Sequence, residues 1–258
     1  MDVNILAVGD VVGESGLRFL EKRLRRIRTE LDVAFTVVNG ENTAMTGLLP
    51  EQADAILAAG ADVITLGNHA FGKGKLYRYL DDTPYILRPA NFAPQSPGRG
   101  WGVFDASFGP VCVVNLIGRC GMNFGPDNPF VQASEIVKSA GAKVTLVDFH
   151  AEATSEKCAM CWHLDGKVSA VWGTHTHVQT SDIRIFPGGT GFITDLGMTG
   201  PAASVIGVRP EQSVSMFLGN PPQMYQDAGG SCKLECALFR IDTETGRCVR
   251  AEALRYTE

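Results

Sequence analysis

Two stretches decide the fold: Val144-Thr145-Leu146-Val147-Asp148-Phe149-His150, and Ala170-Val171-Trp172-Gly173-Thr174-His175-Thr176-His177. Each is an apolar run that stops abruptly at a polar cluster, the pattern of a buried strand that delivers side chains to a loop. Three of the five histidines in the chain therefore stand at strand ends. In the His-x-His step an extended backbone would put both imidazoles on one side, whereas a turn would splay them toward neighbouring points. Either geometry suits a pair of metal ions.

The N-terminal part repeats the pattern. Asn4 to Val8 reads as a strand ending in Gly9-Asp10-Val11-Val12-Gly13, and Leu17 to Leu31 as a helix, with apolar residues at Leu17, Leu20, Leu24, Ile27 and Leu31. The glycines fit neither the dinucleotide fingerprint nor a P-loop. Phe35 to Val38 is a strand that runs into Asn39-Gly40-Glu41-Asn42. Pro50 opens a helix through Ala59, and Val63 to Leu66 is a strand ending in Gly67-Asn68-His69. In an open α/β sheet, ligands bind at the carboxyl edge of the strands. Asp10, Glu41 with Asn42, Asn68 with His69, His150, and His175 with His177 are thus expected to converge, although any one alone would read as a cap or turn residue.

Between and beyond these clusters, Pro84 to Arg99 reads as a surface loop, Trp101 to Phe108 as a strand or hairpin, and Val111 to Leu116 as a strand. A helix after Pro126 to Phe130 stops near Ala140-Gly141. Another, begun by Thr154 and Ser155, runs over Glu156 to Leu164 and carries His163 on its surface. Downstream, Ile183 to Phe186, Gly191 to Asp195, Lys233 to Asp242 and Val249 to Tyr256 read as strands, and Pro210 to Leu218 as a helix or a further strand. Met198-Thr199-Gly200-Pro201 and Gly219 to Gly230 read as flaps near a site edge.

At 258 residues, with 45% hydrophobic and 20% charged residues, one α/β domain over 1–258 is expected. A net charge of -5 argues against a broad nucleic-acid face but allows a small phosphorylated ligand held by metals. The start lacks a signal peptide, and no apolar stretch is long enough to span a membrane, so a cytoplasmic protein is expected. A homo-oligomer is left open. Seven cysteines suggest reduced thiols. Cys158 and Cys161 could form a zinc knot with Cys232 and Cys236, but the two spacings differ and Cys236 lies inside an apolar strand pattern.

Imidazole, carboxylate and carboxamide ligands without thiolate suit Fe, Mn or Zn. The seven candidate ligands Asp10, Glu41, Asn42, Asn68, His150, His175 and His177 exceed what one ion requires; two ions about 3.5–4 Å apart would use them, with Glu41 as the natural bridge. A hydroxide shared by such a pair is a nucleophile near neutral pH, and in-line attack on phosphorus is the favoured chemistry. His69, adjacent to Asn68, cannot easily point at the same ion from an extended backbone, which frees it to donate a proton to the departing alkoxide. The competing view makes it an eighth ligand or a turn cap.

These segments, together with Arg88-Pro89-Ala90-Asn91-Phe92, Asp148-Phe149-His150-Ala151-Glu152-Ala153-Thr154-Ser155-Glu156-Lys157, Gly173-Thr174-His175-Thr176-His177-Val178-Gln179-Thr180 and Ile193-Thr194-Asp195-Leu196-Gly197-Met198-Thr199-Gly200-Pro201, resemble the calcineurin-like metallophosphoesterase superfamily and, within it, the YmdB-type bacterial cyclic-nucleotide phosphodiesterases. The resemblance implies a four-layer α/β/β/α sandwich and hydrolysis of 2′,3′- or 3′,5′-cyclic mononucleotides, with iron as the expected metal. It implies one ion held by Asp10, Glu41, Asn42 and His177, a second by Glu41, Asn68, His150 and His175, and His69 as proton donor. The chain departs from the family after Gly67-Asn68-His69, where Ala70-Phe71-Gly72 replaces a continuation that carries Trp-Asp, so a carboxylate that would tune His69 is missing. Two other functions compete: a phosphomonoesterase or nucleotidase on the same scaffold, and a slow-turnover regulatory protein that binds a nucleotide or metal.

Overall fold

The computed structural model describes residues 1–122 and 126–258. Strand β1 (Asp2–Val8) shows how the layers arise: Ile5 and Ala7 pack into one apolar cluster, Leu6 and Val8 into another on the opposite face, and all four are buried. A strand apolar on both faces must lie in a sheet covered on both sides. Its sheet has eight strands, in the order β2 (Asp10–Val11), β12 (Met198–Pro201), β13 (Cys232–Asp242), β1, β3 (Val33–Asn39), β4 (Val63–Thr65) and β5 (Ile86–Leu87), with β14 (Cys248–Thr257) paired to β13. β1, β3, β4 and β5 are parallel, and β13 is antiparallel to β1.

The second sheet has the order β10 (Arg184–Ile185), β11 (Gly191–Ile193), β9 (Ala170–Thr174), β8 (Val144–His150), β7 (Gly109–Ile117) and β6 (Trp101–Ala106). Its four inner strands are parallel. Ile5, Ala7, Phe35 and Val37 of the first sheet meet Val111, Val113, Leu146 and Trp172 of the second in one core; Trp172 stacks on Phe239 with ring centroids 6.0 Å apart. Helices α1 (Gly13–Glu30), α2 (Pro50–Ala59) and α3 (Leu76–Asp82) cover the outer face of the first sheet. Helices α4 (Pro129–Ala140) and α5 (Thr154–Leu164) cover that of the second. The result is a four-layer α/β/β/α sandwich, the architecture that the resemblance implies.

Three sequence expectations change. Met198–Pro201 is not a flap but the buried strand β12, paired on one side with Asp10 and Val11 and on the other with β13. Its glycine and proline disguised it, and Pro201 is tolerated because it ends the strand. The supposed loop from Pro84 to Arg99 contains the short edge strand β5. Helix α1 begins at Gly13, a turn earlier than its apolar spacing indicates, because the Asp227 carboxylate reaches over from a distant loop and accepts the Ser15 N–H. The zinc knot does not form: Cys158 and Cys161 pack on the outer face of the second sheet, Cys232 and Cys236 on that of the first. Residues 210–217, read as helix or strand, form helix α6 (Pro210–Phe217). No helix among the described residues is long and apolar enough to cross a membrane.

Candidate metal centre

The parallel strands of both sheets end at the same edge, and that edge carries the polar clusters. Asp10 follows β1, Glu41 and Asn42 follow β3, and Asn68 and His69 follow β4. His150 is the last residue of β8, and His175 follows β9. The seven candidate ligands come together in two groups. In the first, Glu41 Oε1 lies 3.1 Å, Asn68 Oδ1 2.8 Å and His175 Nδ1 3.1 Å from His150 Nε2. Donor atoms of Glu41, His150 and His175 all lie within 4.8 Å of one another, a set that could hold a metal ion. In the second, Asp10 Oδ1 lies 3.6 Å and Asn42 Nδ2 3.0 Å from His177 Nε2. Asn42 Nδ2 also donates to Glu41 Oε1 at 3.1 Å, and the His175 N–H donates to Asp10 Oδ2 at 3.2 Å, so the groups are contiguous.

The His-x-His step is a turn. His175 and His177 have φ of 101° and 62°, where non-glycine residues are uncommon and strain costs about 1–3 kcal/mol each. The turn splays the imidazoles, sending His175 to the first group and His177 to the second. What holds it is an ion pair the sequence did not reveal. Lys157, in the first turn of α5, donates to Asp195 Oδ2 at 2.7 Å, both side chains being buried, and Asp195 accepts the Thr176 N–H with the same oxygen and the Gly197 N–H with the other. Gly173 lets the lysine pass, for a Cβ there would lie 2.7 Å from Lys157 Cδ.

Two of the imidazoles turn their outer nitrogen to an acceptor that can take only a proton. His177 Nδ1 lies 2.9 Å from the Ile206 carbonyl oxygen, and His175 Nε2 lies 3.2 Å from Glu152 Oε2. Those nitrogens carry hydrogen, which leaves His177 Nε2 and His175 Nδ1 bare and facing inward, the tautomers a metal ligand requires. Asp10 Oδ1 is buried without a hydrogen-bond partner. Around His150 Nε2, the Glu41 and Asn68 oxygens and the bare His175 Nδ1 are crowded at 2.8–3.1 Å and repel one another unless positive charge lies among them. The donor set therefore fits metal binding, and without an ion protons must take its place. Burial opposes charge on His177, yet the Asp10 carboxylate raises it to about 9; burial likewise opposes charge on Asp10, which His177 brings down to about 2. Burial, aided by the charge of His150, lowers His175 to about 4.

His69 stands half-buried at the rim, its N–H donating to Glu41 Oε2 at 3.0 Å. Gly72 closes a turn by donating its N–H to the His69 carbonyl at 2.8 Å; a Cβ there would lie 2.8 Å from the Thr46 carbonyl oxygen. A side chain carrying a carboxylate has no room at this position. His163 lies away from the site, its Nε2 2.7 Å from Ser134 Oγ between α5 and α4.

The description of the YmdB-like protein family matches residues 6–254. The chain belongs to the YmdB-like family. Its relatives include the 2′,3′-cyclic-nucleotide 2′-phosphodiesterase of Bacillus subtilis, 40% identical over 257 residues that cover 98% of this chain and 96% of that one. A crystal structure of a Mycoplasma pneumoniae protein described as a novel phosphatase superposes with a TM-score of 0.94 at 32% identity, covering 100% of this chain and 94% of the other. A Thermus thermophilus crystal structure described as a hypothetical protein gives 0.92 at 35% identity, covering 99% and 100%. The same fold thus recurs over 99–100% of this chain.

Proposed function

We propose that this YmdB-like protein is a dimetal phosphodiesterase that hydrolyses 2′,3′-cyclic nucleotides, with Asp10, Asn42 and His177 holding one ion, Asn68, His150 and His175 the other, and Glu41 between them. The observation that carries the reading is the crowding of Glu41 Oε1, Asn68 Oδ1 and His175 Nδ1 around His150 Nε2, with Asp10 Oδ1 buried and unpartnered beside His177 at the same sheet edge. The activity named for the Bacillus relative supports the substrate class. Nitrogen and oxygen donors without thiolate suit iron, with manganese or zinc as substitutes. When bound, two ions supply charge for the non-bridging oxygens of a phosphate and lower the pKa of water.

The remaining work falls to the chain. Glu41 is fixed by the N–H of His69 and the amide of Asn42, so its carboxylate is oriented before anything binds. His69, tied by its own backbone to that carboxylate, presents its imidazole at the rim, where it can give a proton to the ribose oxygen as the P–O bond breaks. The phosphatase description of the Mycoplasma structure favours a second reading, phosphomonoester hydrolysis at the same centre.

Purified protein loaded with Mn²⁺ or Fe²⁺ and assayed on 2′,3′-cyclic AMP, 3′,5′-cyclic AMP and a phosphomonoester separates them. The expected result is cyclic-diester turnover that chelation abolishes and His69→Ala lowers by about 10²–10⁴-fold with metal content unchanged. Turnover of the monoester alone would establish the second reading. Metal or nucleotide binding without turnover would defeat both.

A further inference from the structure

His150 differs from the other two imidazoles in what its outer nitrogen meets. Its Nδ1 lies 2.9 Å from the hydroxyl of Thr174, and a hydroxyl can donate or accept. The direction is settled one atom further on. Thr174 Oγ1 gives its only proton to Asp148 Oδ1 at 2.7 Å, so toward His150 it can only accept. A proton of His150 must then sit on Nδ1, so Nε2 is the nitrogen turned toward Glu41, Asn68 and His175, where a metal ion would take the place of its proton. Asp148 is itself buried and held on its other oxygen by Thr65 Oγ1 at 2.5 Å and Asn39 Nδ2 at 3.2 Å. Asn39 and Thr65 are the last residues of β3 and β4, in the first sheet, whereas Asp148, His150 and Thr174 belong to β8 and β9 in the second. One carboxylate thus ties the strand ends that carry Glu41 and Asn68 to those that carry His150 and His175.

A second contact fixes the ring from its face. A Cβ on Gly67 would lie 2.3 Å from His150 Cδ2 and 2.4 Å from Nε2, so the imidazole lies against the bare Cα of that glycine and cannot tilt toward β4. Edge and face are both constrained, and the edge is constrained by a charge that reaches the ring through a hydroxyl.

We propose that Asp148 and Thr174 are positioning residues which, through the chain Asp148 carboxylate, Thr174 hydroxyl, His150 Nδ1–H, set the tautomer and direction of His150 and hold the two sheets in register across the metal centre. This rests on the reading of His150 as a ligand. Removing such an outer partner lowers metal affinity by about 10–100-fold.

The test is calorimetric titration of Mn²⁺ into the chelated full-length protein, with unfolding of each chelated variant followed by circular dichroism. Thr174→Val keeps the shape and removes the hydroxyl; Thr174→Ser restores it. The expected result is a folded Thr174→Val protein whose Mn²⁺ affinity falls about 10–100-fold, a Thr174→Ser protein close to wild type, and an Asp148→Asn protein weakened like Thr174→Val. Wild-type affinity in folded Thr174→Val would overturn the positioning role and leave the metal centre standing, as would a serine variant as weak as the valine one. Failure of the wild type to bind Mn²⁺ would instead remove the metal centre, and the proposal with it. Should Thr174→Val not fold, the zinc-loaded wild type decides: its long-range ¹H–¹⁵N spectrum must show His150 with the proton on Nδ1, and a proton on Nε2 overturns the proposal.

Discussion

His150 and His177 each anchor a cluster of donor atoms, yet the first rides on the final residue of a strand and the second on a left-handed turn. Around His150, the backbone is ordinary β ladder from Val144 onward, and precision comes from side chains: Thr174, Asp148 and the bare face of Gly67. Around His177, the backbone itself is strained, and precision comes from the buried Lys157–Asp195 pair under Thr176 and from the Ile206 carbonyl. Regular structure can aim one imidazole, but two histidines a residue apart must serve different points, and only a turn can part them. The strain of that turn has to be offset by a contact of high energy, which explains a fully buried lysine in a helix's first turn, where the helix dipole disfavours it.

The sharpest way to break the comparison is Lys157→Met. It leaves Asp195 buried without its counter-charge, which costs about 3–5 kcal/mol, and frees the His175–His177 turn. Thermal unfolding of the chelated protein should show that loss, and elemental analysis of the loaded protein should show depletion of the His177 ion. A lysine variant of wild-type stability would mean that the turn holds itself.

Gly67→Ala probes the other half. The added methyl drives into the His150 ring, so Mn²⁺ stoichiometry should fall from two toward one while chelated stability changes less than in Lys157→Met. Retention of both ions at wild-type affinity would show that ring direction there does not matter.

The smallest effect is a pH dependence that runs in opposite senses for folding and binding. His177 is raised from 6.5 to about 9, so its contribution to the chelated protein is complete below 6.5 and is lost as pH climbs through about 9. Asp10 is lowered from 3.8 to about 2, so its contribution is complete above 3.8 and is lost as pH falls through about 2. The pair therefore supports the metal-free fold best between about 4 and 6.5. A metal ion must displace the His177 proton, so affinity should increase from pH 6.5 to 9 with proton uptake by the buffer. Calorimetry in two buffers of different ionisation enthalpy measures that release; none at pH 7.5 would contradict the assignment.

That the seven candidate ligands would meet was legible in the sequence because each stands where an apolar run ends, a signal that strand geometry imposes locally. The apolar runs indicated an α/β domain, and the four-layer arrangement came from the family resemblance. What supports those residues was not legible. Asp148 reads as one polar residue in a buried strand, and nothing local announces that Asn39, Thr65 and Thr174 meet it from three other strands. Lys157 and Asp195 read as a helix residue and a strand end. β12 was hidden by its own glycine and proline, and the true start of α1 by a capping carboxylate supplied from Asp227, far along the chain. Local pattern marks where side chains are delivered; long-range pairing fixes how they are aimed.

The most direct test is anomalous diffraction from crystals of the Mn²⁺-loaded protein. The expected result is two peaks about 3.5–4 Å apart, one beside Asp10, Asn42 and His177, the other beside Asn68, His150 and His175, with Glu41 between them. A single peak, or peaks away from these side chains, would contradict the dimetal centre.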